Sequence, residues 1–167
     1  MASTINQQEQ KHVQTADAPN VHERSKHHLY QEKMLEHHKN PVGFLQSITV
    51  THSADGANAA CGDEIVVQAQ IFQHQIKALA FHGDSCAICR ASASMLCENL
   101  TGMSIDEGEK LSEQIVIALK DNIHFIGELA VQFAPLASVQ KFPIRKQCAL
   151  LPWQTLQVIF SKVNENN

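Results

Sequence analysis

The sequence predicts an α+β protein, a three-stranded antiparallel sheet packed by helices. Three observations carry this. Apolar and polar residues alternate through the stretch 62–84, the period of half-buried strands. The second half of the chain instead holds a helix cap and apolar stripes at helical spacing. The connections within the strand region are short, which suits an antiparallel meander. Strands first and helices afterwards make an α+β layer arrangement.

The elements follow in order. Residues 1–28 contain few large apolar side chains and many Gln, Asn, Ser and His. Such a segment cannot bury enough surface to offset its ordering entropy, so it reads as a disordered polar tail. Six of the ten histidines fall within the first 40 residues: His12, His22, His27, His28, His37 and His38. A metal-scavenging arm is one reading of them, and a solvated polar arm is the plainer one. Residues 29–163 read as one domain and 164–167 as a short tail. Leu29, Tyr30, Met34 and Leu35 recur near helical spacing until Asn40-Pro41 stops the pattern. Residues 47–52 are a candidate first strand. In 62–72, Ile65, Val67, Ala69 and Ile71 share a face; in 75–84, Lys77, Leu79 and Phe81 alternate with Ile76, Ala78 and Ala80.

After Gly83 the texture changes. Residues 86–102 are rich in Ala and Ser, with Ile88, Leu96 and Leu100 available for packing and Gly102 suited to a helix C-terminal turn. Ser104-Ile105-Asp106-Glu107 fits a capping box, so a second helix is expected there. Residues 113–134 are apolar and poorly punctuated, and read as helix rather than strand. Pro135 and Pro143 bracket a connection, and Pro152 fits the first turn of a last helix. On that helix Trp153, Leu156, Ile159, Phe160 and Val163 form a stripe that reads as core.

Composition narrows the function. The chain has 167 residues and a formal charge of -4, from 13 basic and 17 acidic side chains. That argues against a general nucleic-acid binder. No apolar run approaches the ~20 residues needed to span a bilayer. The start lacks a secretory layout, so the expectation is a cytoplasmic protein with neither membrane nor nucleic acid as partner. A body of roughly 135 residues buries about two-thirds of its unfolded surface. It is expected to fold without metal as a staple, which makes any metal functional. In a reducing cytosol the five cysteines read as thiols or metal ligands rather than disulfides.

Three of those cysteines stand in informative surroundings. Cys61 and Asp63 flank Gly62 just before a strand; in extended backbone, residues two apart face the same way. Cys86 opens a predicted helix, where the helix dipole favours thiolate. Cys148 ends a stretch holding Lys141, Arg145 and Lys146, expected to lower its pKa and attract an anion; the alternative is a merely solvated loop. Three cysteines and one carboxylate make a tetrahedral ligand set, although plain core packing is open to any of the thiols. Cys86-x-x-Cys89 allows a redox pair, but no thioredoxin-like strand–helix–strand pattern surrounds it. It lacks the second close pair of a zinc knuckle and the upstream His-x-Glu of a deaminase. Cys89 and Cys97 read as packing residues, with Cys89 as an auxiliary or resolving thiol left open.

Here the residues resemble a known family. Asn58-Ala59-Ala60-Cys61-Gly62-Asp63, then Gly83-Asp84-Ser85-Cys86-Ala87-Ile88, then Ala91-Ser92-Ala93-Ser94-Met95 resemble the IscU/NifU N-terminal group of iron–sulfur assembly proteins. Lys141-Phe142-Pro143-Ile144-Arg145, with Cys148-Ala149-Leu150 and Trp153, resembles its SufU branch. The 61 residues between Cys86 and Cys148 match an insertion in that branch. Gln147 stands where IscU-like proteins place a histidine, and the IscU chaperone-docking motif is missing.

The resemblance implies zinc held by Cys61, Asp63, Cys86 and Cys148. It implies Cys61 as persulfide acceptor from a SufS-type cysteine desulfurase, and Arg145 as support for the partner or the site. Other Suf assembly components or apo iron–sulfur proteins would receive the product. The same ligands would suit iron or a transient [2Fe–2S] cluster. Three functions therefore compete: a zinc-dependent sulfurtransferase, a non-enzymatic cluster scaffold and a plain structural zinc domain.

Overall fold

The computed structural model describes residues 21–165, with side chains described from residue 28 onward. The tail reading for residues 1–20, His12 included, lies outside the described residues, as do the side chains of His22 and His27. Helix α1 spans Val21–Lys39, so helix occupies 21–28 as well as the expected 29–39. A polar segment can extend a docked helix because its backbone bonds are satisfied internally.

Strands β1 (His52–Asn58), β2 (Asp63–Phe72) and β3 (Gln75–His82) form an antiparallel meander in the order β1-β2-β3. On β2 the alternation is clean: Asp63, Ile65, Val67 and Ala69 are buried. β3 keeps its pattern only through a bulge. Gln70 pairs with Ala78 and Ile71 with Ile76, leaving Lys77 unpaired. The extra residue shifts the facing by one, so Ile76, Leu79 and Phe81 are all buried while Lys77 is exposed.

The first strand is not 47–52 but His52–Asn58. Its Ser-Ala-Asp-Gly-Ala sequence has poor strand propensity, which hid it. The small residues serve packing instead. A Cβ at Gly56 would strike the Thr155 hydroxyl and crowd Leu151, so Gly56 lets the last helix lie directly against the sheet.

Helices α2 (Ala87–Leu100), α3 (Ile105–Asp121), α4 (Gly127–Gln132), α5 (Ala134–Ala137) and α6 (Pro143–Glu165) follow. The capping box of α3 forms as expected between Ser104 and Glu107. The apolar run 113–134 is broken by Asn122, a left-handed C-cap at φ 55°. Pro152 does not open the last helix; it lies inside α6, whose first residue is Pro143. Lacking an N–H, Pro152 leaves the Cys148 carbonyl without its usual helical donor. Trp153, Leu156, Ile159, Phe160 and Val163 are buried as the stripe requires. None of the helices among the described residues is long and apolar enough to cross a membrane.

Two buried hydroxyls lock the helices. Ser92 on α2 donates to the Ala149 carbonyl at 2.6 Å and accepts the Trp153 indole N–H at 3.0 Å. Ser94 accepts the Val42 N–H at 2.8 Å and lies 2.9 Å from His37 Nδ1, docking α1. Burial lowers the pKa of His37, against the raising influence of Glu98 and Glu36. Ser92→Ala is expected to strand the indole N–H and the carbonyl, costing about 1–3 kcal/mol. Urea denaturation should show this as a lower midpoint with an unchanged slope.

Candidate metal and sulfur-acceptor site

Side chains from four parts of the chain meet at one end of the sheet. Asp63 is the first inward position of β2, and its carboxylate is 1% exposed. A buried carboxylate needs donors. The start of α2 supplies one: the Cys86 N–H donates to Asp63 Oδ1 at 2.7 Å, while the Cys86 thiol lies 3.7 Å from Oδ2. Cys86 is also the N-cap of α2, its Sγ accepting the Cys89 N–H at 3.5 Å.

Cys61 does not share an extended segment with Asp63, as its position beside a strand had suggested. It sits in the turn joining β1 to β2, with Gly62 at φ +70°, a conformation glycine adopts freely. The turn brings the Cys61 sulfur to 2.9 Å from the Cys148 sulfur. Cys61 is solvent-exposed and Cys148 buried. The Cys61 and Cys148 sulfurs and an Asp63 oxygen all lie within 4.8 Å of one another. Cys86 adjoins this trio through Asp63.

The basic cluster near Cys148 does other work than expected. Residues from Pro143 onward form the start of α6, not a loop. Lys146 donates to the Lys120 carbonyl and to Asn122 Oδ1, each at 3.2 Å, and so caps α3. The Arg145 guanidinium lies 4.9 Å from the centre of the Phe142 ring, and both residues are exposed. The Cys148 thiol is accordingly pushed up rather than down, by burial first and then by contact with Cys61, Asp63 and Cys86.

Asn58, to which sequence reasoning gave no separate role, ties the two ends of the site together. Its Nδ2 donates to Cys148 Sγ at 3.5 Å, and its Oδ1 accepts the Ala60 N–H at 3.2 Å. The available signal was an asparagine closing a strand two residues before a turn amide, a common side-chain turn. Cys89 and Cys97 are core residues, 0% and 1% exposed.

Two thiols and a carboxylate converge, with the Cys86 thiol beside the carboxylate; by donor type such a set fits a tetrahedral zinc site, and thiolates also fit an iron–sulfur cluster. The donors come from a turn, a strand, a helix N-terminus and a helix interior, so the folded chain assembles them. The family model for the NifU-like N terminal domain matches residues 29–149. The chain belongs to this family.

The NifU-like chain has relatives throughout iron–sulfur cluster assembly. It is 28% identical to the iron–sulfur cluster assembly scaffold protein IscU of Thermotoga maritima, over 81% of this chain and 95% of the relative. It is 29% identical to the zinc-dependent sulfurtransferase SufU of Bacillus subtilis, over 83% and 94%. Among solved structures, the NifU-like N-terminal protein of Brucella abortus superposes with a TM-score of 0.72 at 19% identity, covering 83% of this chain and 96% of that one. The SufU of Fervidobacterium islandicum gives 0.65 at 24%, covering 80% and 98%. These two share the fold: a three-stranded antiparallel sheet with helices, as the sequence predicts.

The thiols should differ sharply in reactivity. Burial pushes Cys97 up to about 12 and raises Cys89 as well, with Asp63 and Cys86 adding to it. Both therefore stay protonated through the neutral range, where the thiol is the unreactive form. Timed alkylation at pH 8 with peptide mapping is expected to label exposed Cys61 first. Cys89 and Cys97 should remain unlabelled until denaturant is added.

Proposed function

We propose that this chain is a zinc-dependent persulfide acceptor in iron–sulfur cluster assembly, taking sulfur onto Cys61 from a SufS-type cysteine desulfurase. The observation that carries the reading is an asymmetry. Cys61 alone of the five thiols is exposed, yet its sulfur touches a buried set of further donors. An acceptor must meet a partner's active site, whereas the residues that hold it in readiness need not.

Cys61, Asp63, Cys86 and Cys148 would hold the zinc. Zinc there would keep its ligand thiols deprotonated at neutral pH and add no redox chemistry of its own. Asp63 is held by the Cys86 N–H, so a carboxylate is presented beside the sulfurs without being free to swing away. Gly62 lets the Cys61 turn adopt its left-handed backbone, and a Cβ there would meet nothing within 4 Å. The acceptor thus sits on a turn with space around it. Arg145, exposed on the first turn of α6 and stacked on Phe142, would face the desulfurase. Its role is to support the partner contact. Other Suf components or apo iron–sulfur proteins would take the product, in the cytoplasm.

The second reading is a scaffold on which a [2Fe–2S] cluster is assembled and passed on. The sulfur-rich donor set favours it equally on chemistry, and IscU is among the relatives. In that case the cluster is cargo held by the same four residues, and iron replaces zinc.

The test is cysteine desulfurase turnover with the zinc-loaded chain added. Stimulation is expected, and Cys61→Ala should return the rate to that of the desulfurase alone. Stimulation that survives Cys61→Ala would refute the acceptor assignment. A bound, unstimulated desulfurase together with an oxygen-sensitive brown species on reconstitution would favour the scaffold. Metal removal should leave the far-ultraviolet circular dichroism unchanged, since the core packs without it; unfolding would instead mark a structural zinc domain.

A further inference from the structure

We infer that Cys148 is a resolving thiol, attacking a persulfide on Cys61 and releasing its sulfur as hydrosulfide. The inference rests on the reading of Cys61 as sulfur acceptor, and it adds a second chemical step at that site.

The geometry points to one of two possible attacks. A persulfide has an inner sulfur, bonded to Cβ, and a terminal sulfur. Thiol attack on the terminal sulfur would pass the persulfide along the chain. Attack on the inner sulfur makes a disulfide and expels the terminal sulfur. The Cys148 sulfur lies 2.9 Å from Cys61 Sγ, which becomes the inner sulfur once Cys61 is loaded. Thiol–disulfide-type exchange requires direct approach of the attacking sulfur to the one attacked. Displacement proceeds in line, so the leaving sulfur must point away from Cys148. Cys148 is 1% exposed, whereas Cys61 faces solvent. The attacking group thus comes from the protein side and the leaving group departs toward water.

Asn58 holds this pair in register. One end of its amide reaches Cys148 Sγ and the other accepts from Ala60 in the Cys61 turn. Cys89, the other thiol considered as a resolving group, is 0% exposed in the core. Cys86 is directed at Asp63 and at its own helix.

The step balances without an external oxidant. The Cys61 persulfide anion and the Cys148 thiol become a Cys61–Cys148 disulfide and one hydrosulfide ion. One S–S bond breaks and one forms. The terminal sulfur leaves with the bonding electron pair and takes the Cys148 proton. The two cysteine sulfurs are oxidised by two electrons and the transferred sulfur is reduced by two. A dithiol reductant would reset the pair. The two sulfurs cannot be metal ligands and a disulfide at once, so the exchange belongs to the interval when both are off the metal.

The experiment uses the full chain, reduced, treated with chelator and freed of reductant under argon. Cys61 is loaded in one arm by a cysteine desulfurase with cysteine and in another by inorganic polysulfide, then desalted. Samples taken over time are alkylated, peptide-mapped by mass spectrometry and assayed for sulfide. The expected result is extra sulfur on Cys61 first, then a Cys61–Cys148 linked peptide with one sulfide released per link. Cys148→Ser should keep the extra sulfur on Cys61 and release none. Asn58→Ala should form the same link more slowly. Persulfide that stays on Cys61, moves intact to Cys148, or yields a Cys61–Cys86 link would overturn the inference. A desulfurase arm without sulfur on Cys61, beside a polysulfide arm that completes the exchange, would support the resolving chemistry and place the failure in delivery of sulfur, the step that the proposed reading assigns to the zinc-loaded chain.

Discussion

The structure turns on a buried carboxylate. Asp63 occupies the first inward position of β2, where the same alternation that buries Ile65, Val67 and Ala69 would ordinarily call for an apolar residue. A carboxylate in that place is costly unless donors meet it. The meeting donor is the Cys86 N–H at the start of α2, where the orphan amides and positive end of a helix favour an anion. β2 and α2 are thereby joined end to end, and the join can form only once the sheet and helix are packed. Ser92 then ties α2 to α6 through Ala149 and Trp153, which sets Cys148 against Cys61. The donor set follows from the packing of the whole domain rather than from any local motif.

That dependence explains what could be read in the sequence. Two of the three strands, helices α2 and α3 and the core stripe of α6 were legible because their signals are local: alternation on β2, the Ser104 capping box, and the Trp153–Val163 stripe. β1 was not, because its small residues fit packing against α6 and carry little strand propensity. Gly56 under Thr155 shows this directly. The bulge at Lys77 was hidden for a related reason. It changes the facing by one residue, and a bulge has no composition of its own. Pro152 misled because proline most often marks a helix start. Here the Trp153 and Ser92 packing holds α6 through the position at the cost of one backbone bond.

The same distinction applies to the site. Cys61, Asp63, Cys86 and Cys148 could be selected as candidates from their neighbours in sequence; in the fold Cys61, Asp63 and Cys148 bring their ligand atoms within 4.8 Å of one another, and Cys86 adjoins them through Asp63. Their electrostatic surroundings could not be read that way. Lys141, Arg145 and Lys146 are close to Cys148 in sequence, but α6 turns successive residues in different directions. Lys146 faces the end of α3 and Arg145 stacks on Phe142. Cys148 instead faces inward, toward other thiols and a carboxylate, which raises rather than lowers the cost of ionising it. Proximity along the chain overstates electrostatic influence wherever a helix intervenes.

This inward, crowded position also sets how the site can work. Sulfurs and a carboxylate placed together repel one another as anions, so the arrangement is most favourable when a cation or a shared proton offsets the charge. Cys61 is the member that can relieve the crowding by moving. It lies on a glycine-bearing turn open to solvent, whereas Asp63, Cys86 and Cys148 are fixed by a strand, a helix cap and a helix interior. A donor on an open turn, set against donors held in regular structure, is an arrangement that suits ligand exchange. On the proposed reading, the three anchored residues would keep the site's geometry while the Cys61 sulfur meets a partner. A closed structural zinc site would gain nothing from an exposed donor on such a turn, and the placement of Cys61 therefore favours exchange chemistry over a purely structural role.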